Sequence, residues 1–260
     1  MLAVSAAVVL WACQKEKYPD DAIDAQIAKS VEMENYIVAG YELQTALVEF
    51  QKELNKVDFS KLEFVPGKDG KLVMRVPIPH QNFIEKLKAL NMNRSALQSR
   101  FPELAGFALE RKNSIIESCI AYSITVATKL LDMGINVMLP ATKRLPESFE
   151  DSMEFLGGWT AGSHYVEAVI VVYRDGSSCI YIDPSNTYKS STYPPLKHAN
   201  GTDLFYYPEG GSNSPILFIG HTHLSDGEAS PKDRETAIDG LREAVYYNDN
   251  FYPYDKNGNY

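Results

Sequence analysis

Apolar positions recur about every 3.6 residues through the first half of the chain. Between residues 20 and 54 they predict a helix with one buried face. A hairpin is predicted next, with strands at 62–65 and 72–76 around a Pro- and Gly-containing turn. Further helices are predicted over 80–90, 93–108 and 114–133, and Gly134 is a suitable residue to end the last of them.

The pattern changes after Gly158 to short runs of β-branched and aromatic residues. Residues 166–173 and 178–182 predict two strands joined by a turn at 174–177. Short strands are predicted over 204–207, 215–220 and, at a sheet edge, 251–254, whereas 231–246 is predicted to be helical. The expected class is α+β. A mainly helical region with one β-hairpin, residues 21–154, precedes a mixed α/β domain, residues 155–260, with a small β-sheet and flanking helices.

The N-terminus has the features of an export signal. Residues 1–12 carry no charge, and the apolar run 2–11 is too short to span a membrane but long enough for a signal peptide. The segment Leu10-Trp11-Ala12-Cys13, followed by polar residues, resembles the lipobox of bacterial lipoproteins. The resemblance implies a signal peptide over 1–12, a lipid on Cys13 that anchors the protein to a membrane, and a lipidated linker over 13–20. We therefore expect a lipid-anchored protein of the bacterial cell envelope, periplasmic or surface-exposed.

Charge and cysteine content restrict the partners. The net charge is −9, and Lys and Arg form no basic cluster. Nucleic-acid binding requires the neutralisation of phosphates, so no nucleic-acid partner is expected. Apart from Cys13, the cysteines are Cys119 and Cys179, too few for a disulfide framework.

The pattern most informative for chemistry is the stretch 216–233, Ile-Leu-Phe-Ile-Gly-His-Thr-His-Leu-Ser-Asp-Gly-Glu-Ala-Ser-Pro-Lys-Asp. His221 and His223 follow an apolar strand, where side chains two residues apart point to the same side. Both imidazoles can therefore reach one metal ion. Asp233 is a third candidate ligand at the start of a predicted helix, and Ser230 lies on the same first turn.

This constellation resembles the JAB/JAMM family of zinc metalloproteases, whose motif is His-Xaa-His, a short loop, Ser, two residues and Asp, with a Glu on an earlier strand. The resemblance covers about residues 160–245. It implies one Zn²⁺ per chain on His221, His223 and Asp233, although this donor set also suits other divalent ions. It further implies that Glu167 transfers protons, that Ser230 stabilises the tetrahedral intermediate, and that an amide bond of a peptide or protein substrate is hydrolysed.

A second arrangement competes with the first. Cys119 on a predicted helix, His164 before a strand and Asp183 at the end of the partner strand follow the order of transglutaminase-like cysteine peptidases. Cys119 would be the nucleophile, His164 its base and Asp183 the orienting acid. However, a cysteine in an apolar helix is more often buried and inert. A third possibility is a non-catalytic surface binding lipoprotein, whose tyrosine-rich stretch 246–254 contacts a glycan or peptide.

Overall fold

The computed structural model describes residues 22–78, 81–134, 156, 167–183, 197–198, 205–206 and 214–260. The predicted signal peptide, Cys13, the linker 13–20 and His164 lie outside these residues. The first half of the described chain contains a two-stranded hairpin and helices, which are α1 (Ala22–Ala28), α2 (Val31–Leu54), β1 (Val65–Pro66), β2 (Leu72–Arg75), α3 (Gln81–Arg100), α4 (Leu109–Tyr122) and α5 (Ile124–Asp132).

The second half contains strands and one short helix, in the order β3 (Glu167–Tyr173), β4 (Ser178–Asp183), β5 (Lys197–His198), β6 (Phe205–Tyr206), β7 (Ile216–Thr222), α6 (Pro231–Thr236), β8 (Glu243–Tyr247), β9 (Asn250–Asp255) and β10 (Gly258–Asn259). The predicted α+β class is confirmed.

Serine residues divide the helical region more finely than the apolar period indicates. The helix predicted over 20–54 is interrupted at Ser30, whose Oγ accepts a hydrogen bond from the Met33 N–H and begins α2. Ser123 caps α5 in the same way, at an 84° bend between α4 and α5. Gly134 follows α5 with a φ of 77°, as predicted for a helix end. Among the described helices, none is by itself long and apolar enough to cross a membrane, and α4 and α5 pass that test only as a bent pair.

The main sheet has the strand order β1-β2-β9-β8-β7-β3-β4, with β10 also paired to β9, while β5 and β6 pair separately. Within the main sheet β7 and β8 are parallel, and its other pairs are antiparallel. The helix predicted over 231–246 was wrong beyond Thr236, because a turn with Gly240 at a φ of 83° leads into β8. The strand predicted at 251–254 is confirmed as part of β9, but its predicted place at the sheet edge was wrong, since β9 lies between β2 and β8.

The two faces of the sheet have different roles. The inner face, with Ile170, Phe218 and Phe251, belongs to the same apolar cluster as the buried faces of the helices. The outer face carries smaller apolar clusters that include Val171 and Val245. Strand β2 of the helical region pairs with β9, so the described residues before and after the predicted boundary near residue 155 share one sheet. They also share one apolar core.

Gly220, in the middle of β7, allows close packing on the inner face. A Cβ at this position would lie 2.3 Å from Cε1 of the buried Phe251 ring. We expect Gly220→Ala to lower the free energy of unfolding by about 1–3 kcal/mol, because the ring must shift in a filled core. Urea denaturation monitored by circular dichroism measures this. Gly106→Ala is the control, since a Cβ there meets nothing within 4 Å, and a change within about 0.5 kcal/mol is expected.

Candidate metal centre

The strand β7 places both histidines at the outer face of the sheet. His221 lies between Val169 of β3 and Val245 of β8, and directly opposed residues on neighbouring strands share a face. The His223 N–H donates to the Tyr246 carbonyl at 3.1 Å, which extends the pairing with β8 beyond the end of β7. His221 is 1% exposed, whereas the His223 side chain keeps some access to solvent.

The carboxylate of Asp233 reaches the histidines through a reciprocal cap at the start of α6. The Asp233 N–H donates to Ser230 Oγ at 3.2 Å, and the Ser230 N–H donates to Asp233 Oδ2 at 2.6 Å. Pro231 occupies the first turn, where a missing N–H has no helical partner to lose. These contacts fix the Asp233 side chain against the histidines. The residue as a whole is only 6% exposed.

The three side chains form a group that could hold a metal ion. Nε2 of His221 and Nε2 of His223 are 3.1 Å apart. Asp233 Oδ1 lies 3.6 Å from Nε2 of His221, and Oδ2 lies 3.3 Å from Nε2 of His223. Tetrahedral zinc with bonds of about 2.05 Å requires its ligand atoms to be about 3.3 Å apart. The observed separations lie on both sides of that value, so the grouping predicted from the sequence is confirmed.

The charges in this group favour a cation. Burial alone would raise the pKa of the Asp233 carboxyl, but hydrogen bonds with His221, His223 and Ser230 and the charge of His221 hold that pKa well below its usual range. Burial also opposes protonation of His223, yet the hydrogen bond and charge of Asp233, together with the Glu167 and Asp226 carboxylates, raise its pKa. Asp233 is therefore anionic at neutral pH, as a carboxylate must be to bind a cation.

Glu167 lies on the same face as the imidazoles. It begins β3 two residues before Val169, the cross-strand neighbour of His221, and strand residues two apart point to the same side. Its charge raises the pKa of His223, which also indicates proximity. The Ala168 N–H donates to Thr222 Oγ1 at 2.9 Å and ties the start of β3 to the end of β7.

Ser230 acts first as a helix cap. Its Oγ accepts the Asp233 N–H, but a hydroxyl that accepts a hydrogen bond keeps its own proton to donate. Ser230 is half-buried at the start of α6. The predicted contact with a reaction intermediate therefore remains compatible with its position as a cap.

Glu243 and Tyr254 are neighbours of the group that sequence analysis missed. The Tyr254 O–H donates to Glu243 Oε2, and the Ile238 N–H donates to Oε1, both at 2.7 Å. The rings of Tyr254 and His221 are 5.8 Å apart, edge to face. Burial raises the pKa of Glu243 against the effect of these two hydrogen bonds. Residue 243 lies in the stretch wrongly predicted as helical, so no local sequence pattern indicated that it would lie beside His221.

The cysteine arrangement finds little support. Cys119 is fully buried in the apolar cluster under the inner face, and burial, with the charge of Glu34, raises the pKa of its thiol to about 12. Asp183 ends β4 opposite Glu167, and His164 lies outside the described residues. Tyr246 and Tyr254 are also buried, so they do not contribute to a tyrosine-rich binding surface.

Comparisons with protein-family models, with curated proteins and with solved structures find no match for this chain. The fold and the site together define an α+β protein in which the sheet face opposite the N-terminal helices carries two histidines, and the short helix α6 over that face carries one aspartate. A function for this chain therefore has to be argued from that geometry and from its sequence motifs.

We expect about one divalent ion per chain after purification without a metal-affinity step, measured by elemental analysis. The double change His221→Ala/His223→Ala should abolish binding. Asp233→Asn should weaken zinc binding, measured by chelator competition, by more than about 100-fold. That is the largest loss of affinity usual for a residue that only hydrogen-bonds to a metal ligand, and Asp233 is proposed as a ligand itself. Asp239→Asn is the control, because Asp239 is exposed and paired with Lys256. A wild-type protein that takes up no zinc when supplied with it would make the group a structural polar cluster.

Cys119 should be inert in the folded protein. With a pKa of about 12, about one thiol in ten thousand is ionised at pH 8, and the thiolate is the reactive form. Iodoacetamide labelling followed by mass spectrometry should modify the half-buried Cys179 before Cys119, and both at similar rates in urea. Rapid labelling of Cys119 in the native state would restore the cysteine-peptidase hypothesis.

Proposed function

We propose that this protein is an exported, lipid-anchored, metal-dependent hydrolase of amide bonds in peptides or proteins. The observation that supports this most directly is the convergence of His221, His223 and Asp233 on one point, with ligand-atom separations of 3.1 to 3.6 Å, on the face that also carries Glu167. The resemblance of the N-terminus to a lipobox supports the proposed anchor on Cys13 and a location in the cell envelope.

Zinc is the proposed ion. Two imidazole nitrogens and one carboxylate oxygen are three ligands for zinc, and a fourth position would stay open for water, as in catalytic zinc sites. The order Glu167, His221, His223, Ser230 and Asp233, with the glutamate on a strand and the aspartate on a helix, agrees with the JAB/JAMM pattern. That agreement supports the same reaction class for this chain.

Each residue has a distinct part in the proposed reaction. A divalent ion held by His221, His223 and Asp233 would lower the pKa of a water molecule and polarise the carbonyl of the scissile amide. Glu167 accepts a proton as the water oxygen bonds to the carbonyl carbon, and then gives it to the amine when the C–N bond breaks. The Ser230 O–H donates to the carbonyl oxygen as negative charge develops there.

Glu167→Gln separates catalysis from metal binding. Glutamine has nearly the same shape but cannot take up the proton, so we expect hydrolysis to fall by about 100- to 10,000-fold with the metal content unchanged. Initial rates with a library of fluorescence-quenched peptides and isopeptide-linked peptides, with and without a chelator, measure the effect.

Glu235→Gln is the matched control, since Glu235 is an exposed carboxylate on the same helix as Asp233. Its rates should equal those of the wild type. A wild-type protein that binds zinc yet cleaves no member of the library above the rate of Glu167→Gln would contradict the hydrolase and leave a metal-binding protein.

A further inference from the structure

The loop 224–229 connects the two histidines of the metal group to the helix that carries its aspartate. It joins His223, at the end of β7, to Ser230, at the start of α6. It has six residues, and several of its side chains point into solvent. Since Asp233 is carried by a helix of six residues, too short to be stable alone, the position of its carboxylate depends on contacts that hold this loop.

Asn259 of β10 makes such contacts. Its side-chain Oδ1 accepts the Ala229 N–H at 3.1 Å, and its Nδ2 donates to the Gly227 carbonyl at 3.3 Å. A carboxamide offers one acceptor and one donor side by side. It therefore pairs with both backbone groups of the loop, much as a neighbouring strand would.

The strand β9 provides a platform beneath the same loop. A Cβ on Gly227 would lie 2.6 Å from the Tyr252 ring, so the loop backbone packs directly on that ring. Tyr254, two residues further along the same face, contacts the His221 ring and is the register partner of Asn259. The hairpin β9–β10 thus supports one metal ligand directly and the loop to another ligand through Asn259.

We propose that Asn259 is a positioning residue of the metal centre, which holds the loop 224–229 so that Asp233 meets His221 and His223 before an ion binds. The inference rests on metal binding by these three side chains, which is part of the proposed function, but not on hydrolysis. Without the two hydrogen bonds, ion binding has to order the loop as well, and the entropy lost in that ordering weakens the affinity.

Asn259→Asp tests this in the full chain. The aspartate keeps an acceptor for the Ala229 N–H but places a second oxygen against the Gly227 carbonyl. Asn257→Asp is the matched control: it makes the same change of charge two residues away, where Asn257 is exposed and contacts only Asp255 among the hydrogen bonds described. Asn259→Ala removes both loop contacts without adding a charge, and serves if the aspartate variant does not fold.

We expect Asn259→Asp and Asn259→Ala to weaken zinc binding by about 10- to 100-fold in chelator competition, at a temperature where circular dichroism shows each protein folded. At saturation their cobalt absorption spectra should match that of the wild type, because the ligands are the same. In the metal-free state, hydrogen exchange of peptides covering 224–230 should be faster than in wild type. Asn257→Asp should keep the wild-type zinc affinity, because it leaves both loop contacts of Asn259 in place.

Wild-type zinc affinity in both Asn259 variants would overturn the proposal, and so would unchanged exchange of the loop. A wild-type protein that binds no zinc would instead contradict the metal centre itself. In that case faster hydrogen exchange of the loop in the Asn259 variants would still show that Asn259 holds the loop, although the group binds no metal.

Discussion

The carboxylate of Asp233 is shared between the N-terminus of a helix and two imidazoles, and the arrangement around it depends on that sharing. One oxygen accepts the Ser230 N–H, and the same oxygen lies 3.3 Å from His223. A buried charge is costly unless it is paired and hydrogen-bonded. The cap and the histidines together supply those partners, so α6 is held at one orientation although it has only six residues. Moving the carboxylate would leave the helix end and both imidazoles without their partner.

The topology of the sheet explains why this helix lies over the histidines. Strands β7 and β8 are parallel neighbours, and a parallel pair requires a crossover connection on one side of the sheet. The inner face is already covered by the N-terminal helices, so the crossover that contains α6 lies over the outer face. That face is also the one to which His221 points. The route of the chain between β7 and β8 therefore brings Asp233 to the histidines. No sequence pattern indicates this route.

Local patterns were sufficient to predict part of this site. His221 and His223 could be placed on one side of a strand from their spacing, and Ser230 and Asp233 on one helical turn from theirs. β8 could not be recognised, because a strand buried on both faces has no alternation of polar and apolar residues and resembles a helix segment. Asn259 could not be recognised either, since its contacts reach residues about thirty positions earlier. The sequence therefore predicted the candidate ligands, but not the residues distant in the chain that hold them in place.

The two candidate chemistries of this chain lie in environments with opposite properties. Cys119 is in the apolar layer under the inner face, where burial and the negative charge of Glu34 raise the pKa of its thiol and keep it protonated. A nucleophilic cysteine needs a stabilised thiolate and an approach for substrate. On the outer face, Asp233 supplies a fixed negative charge and His223 keeps one side partly open to solvent, which are the conditions for a metal ligand set with a free position. The helices that cover the inner face therefore also keep Cys119 protonated, and the opposite face carries the group that could hold a metal ion.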